Sequence, residues 1–269
     1  MTTLKFIAAL MIAGSGCWAM AQEELTKVPT EQRTENSDRK LNKIVADYEY
    51  DRFNEGYSPW RQGALSFGHK FDFGSVIARY TRANRWDTNG EQVEVDAYPH
   101  IREGTYAYLN YGHSNSTIFP HDRFGAEIFQ SLPYSFEASL GFRRLEFKGG
   151  TVVLYTGSLA KYWGNYYFYV RPFYTPSNIG ASNSWTVGAR YYLDDQQYIA
   201  VYGGWGFSIE QDFRLDPVGL KSQKAGVEAY LSLGSDWFID PSIGLAAEEV
   251  QKGSYRDKVA FGVSLEKRF

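Results

Sequence analysis

Through most of this chain apolar side chains recur at every second position, in segments of ten to fifteen residues broken by Gly, Asn, Asp and Pro. Side chains alternate across a β-strand with a period of two, so each such segment carries one greasy face and one polar face. The last fourteen residues show the pattern plainly. Val259, Phe261, Val263 and Leu265 fall on odd positions, Lys258, Ala260, Gly262, Ser264, Glu266 and Arg268 on even ones, and the sequence stops at Phe269. Val93, Val95 and Ala97 alternate in the same way with Glu94 and Asp96. So do Phe136, Ala138, Leu140 and Phe142 with Ser135, Glu137, Ser139 and Arg143, and Trp185, Val187, Ala189 and Tyr191 with Thr186, Gly188 and Arg190.

Fourteen segments follow this rule: 44–53, 60–71, 73–86, 91–101, 104–114, 122–131, 134–147, 150–162, 165–175, 183–193, 197–210, 220–234, 237–250 and 256–269. The gaps after even-numbered segments are tight, as at Arg102–Glu103, Leu132–Pro133 and Ser235–Asp236. Those after odd-numbered segments are mostly longer and more polar, notably Ser114–His121, Thr175–Asn183 and Gln211–Gly219, with Lys148–Gly149 the short exception. Short turns at one end and longer loops at the other are the habit of outer-membrane β-barrels, whose strands alternate apolar-out with polar-in. The expected fold is therefore all-β, an antiparallel transmembrane barrel of about 14 strands, with 12 as the next count. A water-soluble sandwich or lipocalin-like barrel would also alternate, with its greasy face inward. The number and length of the segments, and the aromatic last residue, favour the membrane form.

The N-terminus supports that compartment. Lys5 precedes an unbroken apolar run from Phe6 to Ala13, and Ala19-Met20-Ala21 places small residues where a signal peptidase cuts. The run is too short for a membrane helix, which needs about 20 apolar residues. Residues 1–21 read as a signal peptide cleaved before Gln22, with lipidation at Cys17 as a rival. Residues 22–43 read as a polar periplasmic leader or plug, and 44–269 as the barrel. Cys17 is the sole cysteine, so disulfides and thiolate metal sites are excluded once it is removed. With 28 basic and 31 acidic residues interspersed, nucleic acid is not an expected partner. Mean hydropathy is −0.41. The chain nonetheless carries 21 Tyr, 18 Phe and 7 Trp. Amphipathic rings favour the headgroup level. Phe71, Phe73, Tyr134, Phe136, Trp163, Tyr166, Trp237 and Phe238, which flank the tight gaps, are expected to form a periplasmic aromatic girdle. Lys267 sits on the lipid parity at that edge, where it would snorkel, and Pro172 and Pro241 fall inside strands, where bulges are expected.

Residues 44–269 resemble the YaiO-type outer-membrane β-barrel family. The likeness lies in Gly68-His69-Lys70-Phe71, in Trp185 followed by Ala189-Arg190-Tyr191-Tyr192-Leu193, and in the closing stretch from Lys258 to Phe269. The resemblance implies an outer-membrane barrel and an association with surface-polysaccharide machinery. It carries over no catalytic residue.

Polar parity directs Arg79, Arg85, Glu94, Asp96, Glu127, Glu137, Arg143, Arg171, Arg190, Lys224, Glu228 and Glu248 inward. Fixed charge on a lumen wall sets what passes, and opposite charges on neighbouring strands also pair and stiffen the wall. Tyr98, Tyr106, Tyr108, Tyr155, Tyr167 and Tyr169 would stack on sugar rings or simply fill space. The loop from His113-Ser114 to His121-Asp122 holds the residue types of nucleophilic catalysis, in a spacing that specifies nothing. No histidine pair has helical metal-ligand spacing, so neither a metal nor another cofactor is expected. The function expected is a passive channel or export-associated pore handling a saccharide or small solute, with outer-membrane lipid and polysaccharide-export machinery as the expected partners. The alternatives are a barrel enzyme acting on envelope lipid or glycan, and a non-conducting structural barrel.

Overall fold

The computed structural model describes residues 40–54, 56–176, 181–207 and 221–269. The signal-peptide reading, nearly all of the leader, and the loops around 177–180 and 208–220 lie outside these residues. The described strands are β1 (Asn42–Phe53), β2 (Trp60–Phe71), β3 (Gly74–Arg85), β4 (Thr88–Arg102), β5 (Thr105–His113), β6 (Asp122–Leu132) and β7 (Phe136–Phe147), followed by β8 (Gly150–Trp163), β9 (Tyr166–Thr175), β10 (Ser182–Tyr192), β11 (Tyr198–Phe207), β12 (Lys221–Gly234), β13 (Trp237–Gln251) and β14 (Ser254–Arg268). A 3-10 turn, Pro133–Ser135, joins β6 to β7.

Each strand pairs antiparallel with its sequence neighbours, and β1 pairs with β14 to close a fourteen-stranded barrel. At the seam Ala46 lies opposite Leu265 and Tyr48 opposite Val263. Asn42 and Phe269 exchange both backbone hydrogen bonds at 2.9 Å, so the ladder runs to the last residue. Closure removes the exposed edges that an open sheet would present.

The parity of the sequence fixes which face goes where. Leu65, Val95, Leu109, Ile128, Leu140, Val201 and Phe261 all stand exposed on the outside, Leu140 by 71%. Their chain neighbours Ser66, Glu94, Asp96, Asn110, Glu127, Ala200 and Ala260 are buried inside. In water this would leave an apolar band round the whole molecule and charges within, an arrangement that only acyl chains outside make favourable.

Phe71, Phe73, Tyr134, Phe136, Trp163, Tyr166 and Trp237 ring the end that carries the tight even-numbered turns, with Phe71 and Phe73 stacked at 5.1 Å. Phe238 departs from the expected girdle. It is adjacent to Trp237 and so must face the other way; it is buried against Tyr230, ring centroids 5.1 Å apart. Lys267 at this edge donates to the Ser235 carbonyl and lies 5.4 Å from the Trp237 ring.

The prolines also behave differently from expectation. Across Pro172 the register runs unbroken from Thr156↔Phe173 to Leu159↔Val170, and across Pro241 from Glu228↔Ser242 to Leu231↔Ile239. Each proline leaves a gap on one side of its strand without inserting a residue, because its other side still pairs, Trp185↔Pro172 and Pro241↔Val263. Register shifts occur instead near the strand ends, between Ser232 and Gly234, Glu249 and Gln251, and His100 and Arg102.

At the external end two hairpins are tighter than the sequence suggests. Besides Lys148–Gly149, the turns between β3 and β4 and between β13 and β14 hold only Trp86–Asp87 and Lys252–Gly253. Trp86 and Asp87 both take positive φ, 49° and 57°, the geometry of a two-residue turn that matches strand twist. The Trp86 ring is held edge-on to Trp60 at 4.6 Å.

Candidate functional site

The interior is layered from the periplasmic end upward. Nearest the tight turns lies an aromatic layer. One group joins Ile77, Tyr98, Tyr106, Tyr108 and Phe129, and a second joins Tyr198, Ala200, Tyr230 and Phe238. Gly226 belongs to this design: a Cβ there would meet the Tyr202 ring at 2.0 Å. Tyr169 is half-buried on the inner parity, whereas Tyr155 faces outward and is exposed, so it joins the lipid face and not the lumen. In β8 the run Val152–Tyr155 is continuously apolar, and parity could not be read from it.

Among and above the aromatics the charged side chains form linked groups. Arg79 lies 3.2 Å from Asp96 and 3.7 Å from Glu94, and Glu94 also meets Arg123 at 3.1 Å. Tyr108 and Asn110 donate to Asp96 at 3.0 and 2.7 Å. Glu127 accepts from Arg143 at 3.1 Å, Arg171 at 2.7 Å and Ser139 at 2.5 Å. The Arg143 guanidinium sits 4.9 Å over the Tyr108 ring and so joins the two groups. Glu137 accepts from the Tyr106 hydroxyl at 3.3 Å. Arg190 lies 3.6 Å from Glu228 and 3.8 Å over the Tyr198 ring. Lys224 is half-buried and lies across Gly204, where a Cβ would meet its Cε at 2.9 Å. Arg85 donates to Gln62 at 2.9 Å between the rings of Trp60 and Phe119. Glu248 is buried and accepts from Arg256 at 2.7 Å.

Several inward residues escaped the sequence reading. Arg123, Arg256, Lys258, Asp51, Glu266 and Trp60 are all buried. Lys258 bridges Asp51 at 3.2 Å and Glu248 at 3.5 Å, tying β14 to β1 and β13. Their signal was the same parity, since Arg256, Lys258 and Glu266 share the polar face of the last segment. Charge of both signs stands round the wall, with Glu94, Asp96, Glu127 and Glu137 among the arginines and Arg256 and Lys258 among the carboxylates. Arg79, Arg85, Arg123, Arg143, Arg171 and Arg190 project from β3, β6, β7, β9 and β10. Glu49, Asp51, Asp240, Glu248 and Glu266 project from β1, β13 and β14.

The external mouth is shaped by the loop between β5 and β6. Ile118 and Phe119 are buried against Ala83 and Trp86, so the loop folds inward over the β3–β4 wall. Its polar residues divide. Ser114 donates to the Glu91 carbonyl at 2.5 Å and shares a hydrogen bond with Ser116 at 2.8 Å. His113 and His121 instead direct Nδ1 to Asp122, at 3.1 and 2.7 Å. Hydroxyl and imidazole thus have different partners, and no nucleophile–base pair is assembled there.

A family model described as the YaiO membrane beta barrel domain matches residues 41–211. No curated protein matches the chain. Among solved structures, a bacterial polysaccharide outer membrane secretin aligns at TM-score 0.58 and 10% identity, over 87% of this chain and 100% of that one. The CymD monoaromatic hydrocarbon channel aligns at 0.57 and 8%, over 86% and 89%. The Acinetobacter baumannii outer membrane protein Omp33 aligns at 0.53 and 12%, over 85% and 98%. At these identities the likeness is one of fold.

Proposed function

We propose, from the premise that this chain belongs to the family of YaiO membrane β-barrel domains, that it is a passive outer-membrane channel for small polar solutes, saccharides among them. The observation that carries this reading is the inner wall, where Tyr169 and Tyr202 keep part of their surface exposed over Gly188 and Gly226, close to the partly exposed Lys224 and Glu228. Sugar rings present apolar C–H faces to aromatic planes and hydroxyls to charged groups, so such a wall offers weak, repeated contacts of both kinds. Passage needs binding that is favourable enough to enter and weak enough to leave. Because acids and bases on this wall are largely paired, a neutral polar solute meets little net repulsion.

Planar-bilayer recording of the full chain, with liposome swelling in sugars of increasing size, tests the proposal. Discrete conductance steps and swelling with mono- and disaccharides are expected. A flat baseline and no swelling from folded barrel would remove it. Use of the same conduit by polysaccharide-export machinery would appear as co-purification with envelope export components from native membranes.

A further inference from the structure

We infer that His113, His121 and Asp122 form a binding site for a divalent late transition-metal ion of the Zn2+ type on the outer rim of the barrel. One ligand atom from each of the three residues lies within 4.8 Å of the others. The topology brings them together. His113 is the last residue of β5 and Asp122 the first of β6, and the two are register partners across the hairpin. Ser114 donates its backbone N–H to the His121 carbonyl at 3.0 Å and closes the loop on itself, while His121 N–H reaches the Glu146 carbonyl of β7 at 2.7 Å. Two histidines eight residues apart therefore stand edge to face, ring centroids 4.8 Å apart, on either side of one carboxylate.

The chemistry of the set is specific. Two imidazole nitrogens and a carboxylate oxygen suit Zn2+ and its neighbours, whereas Ca2+ and Mg2+ take oxygen alone. The Nδ1 atoms already sit 3.1 and 2.7 Å from the carboxylate oxygens, with protons bridging them. An ion among these atoms would take the place of those protons. Tetrahedral zinc with Zn–N near 2.0–2.1 Å separates its ligand atoms by about 3.4 Å. The His113 and His121 side chains are 35% and 51% exposed, so their rings have room to swing closer together. The carboxylate is aimed, since Tyr111 donates to its Oδ1 at 3.0 Å. The loop is pinned from within by buried Ile118 and Phe119, which limits the ordering that binding would require. Three protein ligands leave a fourth position to solvent.

The site faces outward. His113 and Asp122 continue the lipid-facing parity of Tyr111 and Phe124, whose rings lie 5.1 Å apart one row below. It therefore sits at the level of the external headgroups.

The test uses the full chain without an affinity tag, folded in detergent, titrated calorimetrically with Zn2+. One equivalent should bind. His113→Ala and Asp122→Asn should each weaken binding by at least the about 10–100-fold that follows loss of even an outer-shell partner. His69→Ala, at the opposite end of the barrel and hydrogen-bonded to Asn42, should leave the titration unchanged. Co2+ should give the intense visible absorption of a tetrahedral site in the wild type and lose it in His121→Gln. Unboiled gel mobility establishes that each variant is folded. Wild-type barrel that takes up no Zn2+, or folded variants that bind as the wild type does, would overturn the assignment.

Discussion

Arg171 donates to Glu127 at 2.7 Å although their strands, β9 and β6, are separated by β7 and β8. The two side chains lie along the inner wall and meet over the intervening strands. Ser139 of β7 donates to the same carboxylate, and Thr156 of β8 accepts from the same guanidinium at 3.3 Å. With Arg143 on its other oxygen, Glu127 is the hub of a four-strand brace. Charges withdrawn from water are tolerable when paired and hydrogen-bonded, and costly when one partner is removed.

Glu127→Gln should therefore destabilise the barrel by about 3–5 kcal/mol, the range for breaking a buried pair from one side. Both guanidinium groups would then face an uncharged amide. Guanidinium unfolding from lipid vesicles measures the loss, and an unchanged midpoint would show that the brace contributes nothing.

Phe119→Ala should loosen the inward fold of the β5–β6 loop, since Phe119 is one of two apolar anchors that hold it against Ala83 and Trp86. In a conducting barrel the mouth widens and single-channel conductance rises, while stability of the fourteen-stranded wall is unaffected. Conductance equal to wild type would show that this loop does not limit passage.

Leu140→Arg places a charge near the middle of β7 on the exposed face. The expected cost is about 2–4 kcal/mol, against about 0–1 for Phe73→Arg at the girdle, because lipid-face penalties fall toward the interfaces. The ratio of the two, read from folding equilibria in vesicles, reports depth directly.

Asp194 caps the periplasmic turn after β10, accepting from the Gln196 and Gln197 backbone N–H groups at 2.8 and 2.6 Å. These bonds, Gln197 first, hold its carboxyl below the usual aspartate range. A carboxyl lowered on folding stabilises the fold above its unfolded pKa and loses that contribution as pH falls through the folded value. The Gln197 amide resonance should titrate with a midpoint under the ordinary value of about 3.9. Asp194→Asn should abolish the transition, and a midpoint at or above the ordinary value would contradict the cap.

Much of the fold was legible because a closed barrel repeats one local rule. Val93, Glu94, Val95 and Asp96 each state by parity alone which solvent they meet, and β4 runs as that parity implies. Parity fails where it is silent: in the continuous run Val152–Tyr155, and at Trp237-Phe238, where two adjacent aromatics must part. It also says nothing about reach. Glu127 and Arg171 share an inward face in the sequence, but their meeting across two strands depends on side-chain length and barrel curvature. The histidine cluster was hidden for a related reason. Chain spacing tests helical ligand pairs, whereas His113 and His121 meet because a loop returns to its starting point. The proline bulges were misjudged because a missing N–H removes one hydrogen bond without demanding an extra residue.

The most direct measurement is oxygen and aqueous-nickel accessibility of spin labels placed singly at residues 140, 141, 142 and 143 of barrel folded in lipid vesicles. Labels at Leu140 and Phe142 should collide with oxygen dissolved in the acyl chains, and those at Gly141 and Arg143 should not. The opposite phase, or no alternation, would mean that the oily side chains do not face lipid.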